Sequence, residues 1–339
     1  MISKILFISP LFDGSTSLMR LNALRSILTP TCIIETIDTQ KIIDSHNRVS
    51  RFLAYKYKLG PISYTINNKI KKKVSNENYD LIWIEKGVLI YPNVVKTLKK
   101  CTKRLIHFTP DPAFYFHKSM KFINSLKFYD LLVTTKSFEM NSYLSYIDKK
   151  KLVLVSQAYS KHIHYIKKEF KERKPNLVFI GHHESNRSLV LQKLIDNNIK
   201  VTLSGRGWSS FVKRNLGNEL FHFSGEKVYG QDYVETLNNH CFSIGFLSEW
   251  IPEKHTTRTF EIPACGCLLF TPRNEEIESF FSDQEVVFYD NHTDLIQKIK
   301  YYQSHLEEAA LKVNLCTEKL NLGKFTHQST VQKVLDNIL

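Results

Sequence analysis

A chain of 339 residues with 42% hydrophobic and 24% charged side chains is long enough for two domains with separate cores and too apolar to be disordered. It has no run of about 18 apolar residues, which argues against a helical membrane span, and the opening Lys4-Ile5-Leu6-Phe7-Ile8 is too short for a signal-peptide core. A formal net charge of +14 favours an anionic partner: nucleic acid, a membrane surface or a phosphate-bearing ligand.

From the N-terminus, strand-like apolar runs alternate with amphipathic stretches of helical length, the pattern of a parallel α/β layer. Strands are predicted at 5–9, 32–37, 81–85, 104–108, 131–134 and 152–155. Helices are predicted near 16–29, 62–76, 91–100, 115–126 and 137–147, and 38–60 shows no clear period. The basic stretch 167–176 (KKEFKERKPN) interrupts the alternation and reads as a linker. Strands then follow at 177–180, 201–204, 220–223, 242–247, 267–270 and 286–289, with a helix at 186–196. The tail from 292 reads as two or three helices broken at Asn321-Leu322-Gly323. The expected domains are 1–166, 177–322 and a final helix, 323–339, returning to the first. Two open α/β domains in succession would place a ligand cleft between the carboxyl ends of their sheets.

Six cysteines lie scattered among apolar neighbours, and Cys265-x-Cys267 lacks a second half at zinc-site spacing. Reduced, structural thiols are expected, and no metal site. The basic clusters at 69–73, 99–104, 149–151 and 167–174 fit solvated helix ends and a linker. They equally fit peripheral attachment to anionic lipid, at about 1 kcal/mol per basic residue near the surface. Without a zinc finger, an RNP-like aromatic strand or a helix-turn-helix, nucleic-acid binding rests on charge alone.

Several turns carry candidate site residues. In Ser9-Pro10-Leu11-Phe12-Asp13-Gly14-Ser15, Gly14 permits close backbone approach, and Ser15 can cap a helix bearing Arg20 and Arg25 whose free amides favour an anion. Gly181 opens a similar turn, in which the adjacent His182 and His183 make poor joint metal ligands. Gly205-Arg206-Gly207-Trp208 suits either ring stacking with a charge-assisted contact or a turn with a surface indole. The most informative segment is 253–266. There Thr256, Thr257 and Arg258 are expected at the start of a helix carrying Glu261, where backbone amides and a guanidinium make a phosphate cradle. Glu261 can accept two hydrogen bonds from a ribose diol, and Glu253 can point toward a sugar. In the first half Asp111, between Pro110 and Pro112, suits a base toward an acceptor hydroxyl or a cap for a helix at 113–116, whereas His107 reads as core.

Glu253-x7-Glu261, followed by Ala264-Cys265-Gly266 and a strand, resembles the E-x7-E region of GT-B-fold glycosyltransferases. Arg258-x-Phe260-Glu261-x-x-Ala264-Cys265-Gly266, with Gln284 to Asp290 and Leu295, is similar to the spore-maturation (CgeB-like) branch. The likeness takes in Phe179-Ile180-Gly181 and Ser204-Gly205-x-Gly207-Trp208. It is thinner in the first half, at Glu85-Lys86-Gly87, Pro110-Asp111-Pro112 and Thr134-Thr135-Lys136 before Glu139. The resemblance implies two Rossmann-like domains and transfer of a sugar from a nucleotide-sugar co-substrate, without a cofactor, to a glycan or lipid-linked hydroxyl. Glu261 would hold the ribose, Arg258 the diphosphate, and Glu253 would face the sugar. With Asp111 as the catalytic partner of Glu253, the donor group comprises Gly14, Gly181, Gly205, Arg206, His255, Thr257, Arg258 and Glu261. His255 belongs here because Lys254-His255-Thr256-Thr257-Arg258 replaces the family's glycine-rich spacer, so that His255 rather than Glu253 could meet the sugar. The resemblance leans toward retention of the anomeric configuration. No acidic pair is placed to bind a divalent ion, so cationic groups would stabilise the leaving diphosphate. The expected location is cytoplasmic, peripheral on the inner face of the plasma membrane. The alternative is a non-catalytic module of the same fold that binds a nucleotide or glycan.

Overall fold

The computed structural model describes residues 2–115 and 118–338. The chain divides into two units, Met1–Ser156 with His327–Leu339, and Gln157–Thr326. The stretch 167–176 therefore lies inside the second unit, not between the two. Its tethers are distant in sequence: the amides of Lys167 and Lys168 donate to Asn238 Oδ1, and the buried Arg173 donates to the carbonyl of Cys265.

The first unit contains β1 (Lys4–Ser9), β2 (Ile33–Asp38), β3 (Tyr79–Glu85), β4 (Thr102–Thr109), β5 (Leu131–Thr134) and β6 (Leu152–Leu154). They form one all-parallel sheet in the order β2-β1-β3-β4-β5-β6. Successive side chains point to opposite faces and both faces of the central strands are covered, so β1, β3 and β5 are mostly apolar, whereas β2 and the start of β4 are more polar and exposed. Ile5, Phe7, Leu81, Trp83 and Ile106 pack toward the helix Thr16–Leu28 and the final helix His327–Asp336, which contributes Val331, Val334 and Leu335. Leu6, Ile8, Ile82, Ile84 and Leu132 pack on the other side with Ile62, Ile66 and Ile70 of the helix Pro61–Val74. The aperiodic segment holds two short helices, Thr39–Asp44 and Arg48–Tyr57. The predicted helix 115–126 appears as Met120–Ser125. Phe116 and His117, which it spans, lie outside the described residues, and Phe116 also ends the helix expected at 113–116.

The second unit contains β7 (Lys174–Ile180), β8 (Val201–Ser204), β9 (Phe221–Gly225), β10 (His240–Ile244), β11 (Leu268–Pro272) and β12 (Val287–Tyr289). Their order is β12-β11-β10-β7-β8-β9, again all parallel. Reversal of strand order beside β7 sends the turns after β7 and β10 apart over the two faces, which opens a crevice at their carboxyl ends. One face buries Phe179, Leu203, Phe242 and Phe270, and the other Val178, Ile180, Leu269 and Phe288. The tail forms the helices His292–Ser304, Leu306–Asn321 and His327–Asp336. The break before the last of these follows Gly323, whose φ of 82° suits a residue lacking Cβ.

Candidate functional site

The carboxyl ends of β7, β8 and β10 bring together residues from three turns of the second unit. After β8 the backbone crosses that of the β7 turn so closely that a Cβ on Gly205 would lie 1.8 Å from Gly181 O, and Gly205 has a φ of 139°. Gly181 N–H donates to Ser204 O at 2.9 Å, and Trp208 Nε1 donates to Gly181 O at 2.8 Å. Trp208 is thus neither a stacking platform nor a surface residue. Its indole is buried against Phe179, His183 and Phe211 and locks the crossing from beneath. Arg206, between the two glycines, is exposed.

The helix Ser185–Asp196 begins just beyond β7. Glu184, its N-cap, is buried, and Glu184 Oε1 accepts from Arg187 Nη2 at 2.6 Å and lies 3.1 Å from His182 Nε2. Glu184 Oε2 accepts from the Glu249 amide at 3.1 Å, which ties this turn to the one after β10. Burial weakens the hold of Arg187 on its proton, Glu184 opposes that, and nearby Arg258 reinforces it. Burial also pushes the His182 pKa down, with Arg187 next in effect. His183 stands 2.8 Å from Ser188 Oγ, so the two adjacent histidines turn to different partners.

The connection from β10 to β11 ends in the short helix Arg258–Ala264. Arg258 Nε donates to Ile180 O at 2.7 Å, which fixes the half-buried guanidinium over the end of β7. No carboxylate pairs with it among the described residues, so the bond to Ile180 O leaves its two terminal amino groups without a counter-ion. Two amides of the expected backbone half of the phosphate cradle are already engaged. The Thr256 amide donates to Thr259 Oγ1 and the Arg258 amide to Thr256 Oγ1, both at 3.2 Å. The N-cap, Thr257, makes no side-chain capping bond.

Glu261 follows Arg258 by one turn and is buried, and its Oε2 accepts from Tyr233 Oη at 3.1 Å. His164 Nδ1 accepts the Ser160 amide at 3.1 Å, which leaves its proton on Nε2, 3.9 Å from Glu261 Oε1. Burial lowers the pKa of His164 and the Glu261 charge partly restores it. Tyr233 and His164 lie 28 and 97 positions from Glu261, and no local motif marks them.

His255 leaves the donor group. It is buried against Phe260 and Phe280, its Nε2 accepts the Gln157 amide at 2.8 Å, and its Nδ1 bonds Glu276 Oε1. With both nitrogens engaged the ring braces the loop and has no polar atom left for a ligand. Glu253 is half-buried, and its Oε2 accepts the Ser248 amide at 3.3 Å.

The remaining candidates belong to the first unit. Gly14, with a φ of 77°, precedes Ser15, whose hydroxyl accepts from the Leu18 amide and caps Thr16–Leu28. Arg20 on that helix serves no anion. Its Nε and Nη2 donate to the two carboxylate oxygens of Glu85 at 2.7 and 2.8 Å, and Trp83 Nε1 adds a third bond in full burial. Asp111 Oδ2 pairs with Lys86 Nζ at 2.7 Å, and about a third of each side chain is exposed. The amides of Ala113 and Phe114, which Asp111 was expected to cap, donate instead to the buried Glu139, at 2.9 and 2.7 Å. Beside this pair His107 is core, as expected: Gly87 N–H donates to its Nε2 at 3.0 Å, and its Nδ1 lies 3.0 Å from Thr109 Oγ1. Among the described residues no group of three or more His, Cys, Asp or Glu is arranged to hold a metal ion, and no helix is long and apolar enough to cross a membrane.

Residues 187–336 match the profile of a family described as glycosyl transferase-like, a span of less than half the chain. None of the curated proteins matches the sequence. Among solved structures, the chain is similar to Anabaena Alr3699/HepE in complex with UDP and glucose, with TM-score 0.65, 12% identity and 99% of both chains covered. A glycosyltransferase from Rickettsia africae ESF-5 gives 0.66 at 13% identity, over 99% of this chain and 98% of that one. The UDP-GlcNAc 2-epimerase of Methanocaldococcus jannaschii gives 0.54 at 12% identity, over 88% and 92%. At such identities the likeness is one of fold. The two six-stranded parallel sheets are those of the GT-B architecture.

Proposed function

We propose that the chain is a glycosyltransferase whose second unit binds a nucleotide-sugar. The observation that carries this reading is Arg258: a guanidinium anchored through Nε, without a carboxylate partner, one turn before a buried carboxylate. A diphosphate supplies the missing counter-charge in bidentate geometry, and Glu261, held by the Tyr233 hydroxyl, accepts from the ribose diol. Thr257, Arg206 and the backbone at Gly181 and Gly205 complete the donor group, and the spore-maturation branch is the subgroup whose motif this segment resembles. Glu253 faces the transferred sugar, and Asp111, held by Lys86, serves the acceptor hydroxyl of a glycan or lipid-linked substrate in bacterial surface polysaccharide or glycolipid synthesis. Neither cofactor nor metal takes part, and cationic groups stabilise the leaving diphosphate. The expected setting is cytoplasmic, peripheral on an anionic membrane face.

A panel of nucleoside diphosphates tested by calorimetry, followed by product analysis with the matching nucleotide-sugar, tests the reading. Saturable binding of one diphosphate, with slow release of free sugar that survives EDTA, is the expected outcome. Loss of turnover on chelation, restored by magnesium, would remove the cationic account of Arg258. Inversion of the sugar at C2 with no release would make the chain an epimerase, and binding without any turnover would make it a non-catalytic module.

A further inference from the structure

The stretch without a sequence period supplies an unusual surface. In the helix Arg48–Tyr57 only Ser50 and Ala54 are buried, so two small side chains hold it to the first unit. At about 100° per residue its outward arc runs Arg51, Tyr55, Arg48, Phe52, Lys56, Val49. A helix face evolved only for solvation intersperses acids with bases. Here three cations alternate with three apolar groups, and Val49, Phe52 and Tyr55 are 67%, 54% and 58% exposed. Lys56 Nζ stands 5.3 Å from the ring centres of both Phe52 and Tyr57, so cation and aromatics form one cluster.

The cluster continues along the chain. Beyond Lys58, the left-handed C-cap of that helix, Leu59 and Tyr64 are exposed. Lys121 Nζ donates to Lys58 O, and the neighbouring Met120 is exposed. On the next helix Tyr64, Asn68, Lys71 and Lys72 share one outer face at i, i+4, i+7 and i+8. From 45 to 74 the chain carries eight Lys or Arg and no Asp or Glu, more than half of the whole excess of fourteen positive charges.

Charge complementarity calls for an extended anionic occupant. The apolar groups decide which kind: beside the aromatics Phe52, Tyr55 and Tyr64, the aliphatic Val49 and Leu59 are equally exposed and offer no plane on which a nucleic-acid base could stack. They gain only from burial in a hydrocarbon boundary, where long cationic side chains can extend outward to phosphates. We propose that this face docks on an anionic lipid bilayer, with Phe52, Tyr55 and Leu59 at the headgroup–acyl boundary and Arg48, Arg51 and Lys71 on lipid phosphates. The proposal rests on the membrane setting given above and is independent of the donor site, since its residues share nothing with the donor group.

Flotation of the full chain with vesicles of phosphatidylcholine alone, and of phosphatidylcholine mixed with phosphatidylglycerol, tests it. The expected result is binding to the mixed vesicles only, weakening with salt. At about fivefold per basic residue, Arg48→Glu with Arg51→Glu should lower the partition coefficient by more than tenfold. Phe52→Ser with Tyr55→Ser should lower it severalfold with the salt dependence unchanged. All four side chains are exposed, so the thermal unfolding curve should not move. No binding to the mixed vesicles, or charge-reversed protein binding as well as the parent, would overturn the proposal. So would an aromatic double variant that keeps vesicle binding but loses single-stranded RNA or a concentration-dependent dimer. Nucleoside-diphosphate affinity measured on the same variants reports separately on the donor site.

Discussion

Arg258 and Glu261 are three residues apart on one short helix and meet opposite demands. Among the described residues the guanidinium lacks a carboxylate partner, whereas the carboxylate already accepts from the Tyr233 hydroxyl, with the His164 imidazole 3.9 Å away. Arg258→Ala should therefore weaken diphosphate binding more than tenfold. Arg258→Lys should recover only part of that loss, because an ammonium lacks the planar fork that meets Ile180 O on one nitrogen and two phosphate oxygens on the others. Glu261→Ala leaves Tyr233 and the ligand diol without an acceptor, a cost of about 1–3 kcal/mol, so calorimetry should show about a tenfold loss of affinity with the fold intact. Unchanged affinity in either variant would take that residue out of the site. His107 belongs to the same scale but to stability. Full burial holds its pKa down at about 3, against an ordinary value near 6.5. An unfolded chain takes up this proton near pH 6.5 and the folded one only near pH 3, so stability falls as pH drops through that window. His107→Gln should flatten the loss of unfolding free energy between pH 6 and 4 by about 1.4 kcal/mol per pH unit. His164, His182 and His240, whose pKa values burial also lowers, leave a residual slope.

At the scale of elements, the turn after β8 depends on a missing side chain. A Cβ on Gly205 would strike the Gly181 carbonyl, and backbone on both sides prevents relief. Gly217 makes the control, with a φ of 81° and nothing within 4 Å of its would-be Cβ. Gly217→Ala should cost only the left-handed penalty, about 1 kcal/mol. Gly205→Ala adds a steric overlap and should cost several times more and disorder the donor turns. Equal denaturation midpoints for the two variants would show that the turns part easily. Most elements were legible in the sequence. All twelve predicted strands are present to within a few residues, because most are buried on both faces and read as short apolar runs bounded by turn signals. The linker was not legible. A basic stretch looks like solvent-facing chain until Asn238, some seventy positions on, is seen to accept its amides.

On the scale of the whole molecule, the last helix completes the first unit. Val331, Val334, Leu335 and Ile338 are buried with Ile5, Phe7, Leu21 and Leu24. At about 1.5–3 kcal/mol for each side chain, their removal approaches the entire stability of a typical domain, about 5–15 kcal/mol. Deleting 327–339 should abolish cooperative unfolding of the first unit while the second keeps its own transition in calorimetry. Two intact transitions in the truncated chain would refute this.

The sequence by itself determined the alternation of strand and helix, the all-parallel layers, the helix start at Arg258 and the position of Glu261. Each is written within a few adjacent residues, as a hydrophobic period or a turn signal. Tertiary structure alone decided which polar groups remain available. Arg20 was lost to Glu85, His255 to Gln157 and Glu276, and the amides at 113 and 114 to Glu139. Among the described residues Arg258 stayed without a carboxylate partner. A side chain's spare bonding capacity depends on what folding brings beside it from tens of positions away, and no local pattern encodes that.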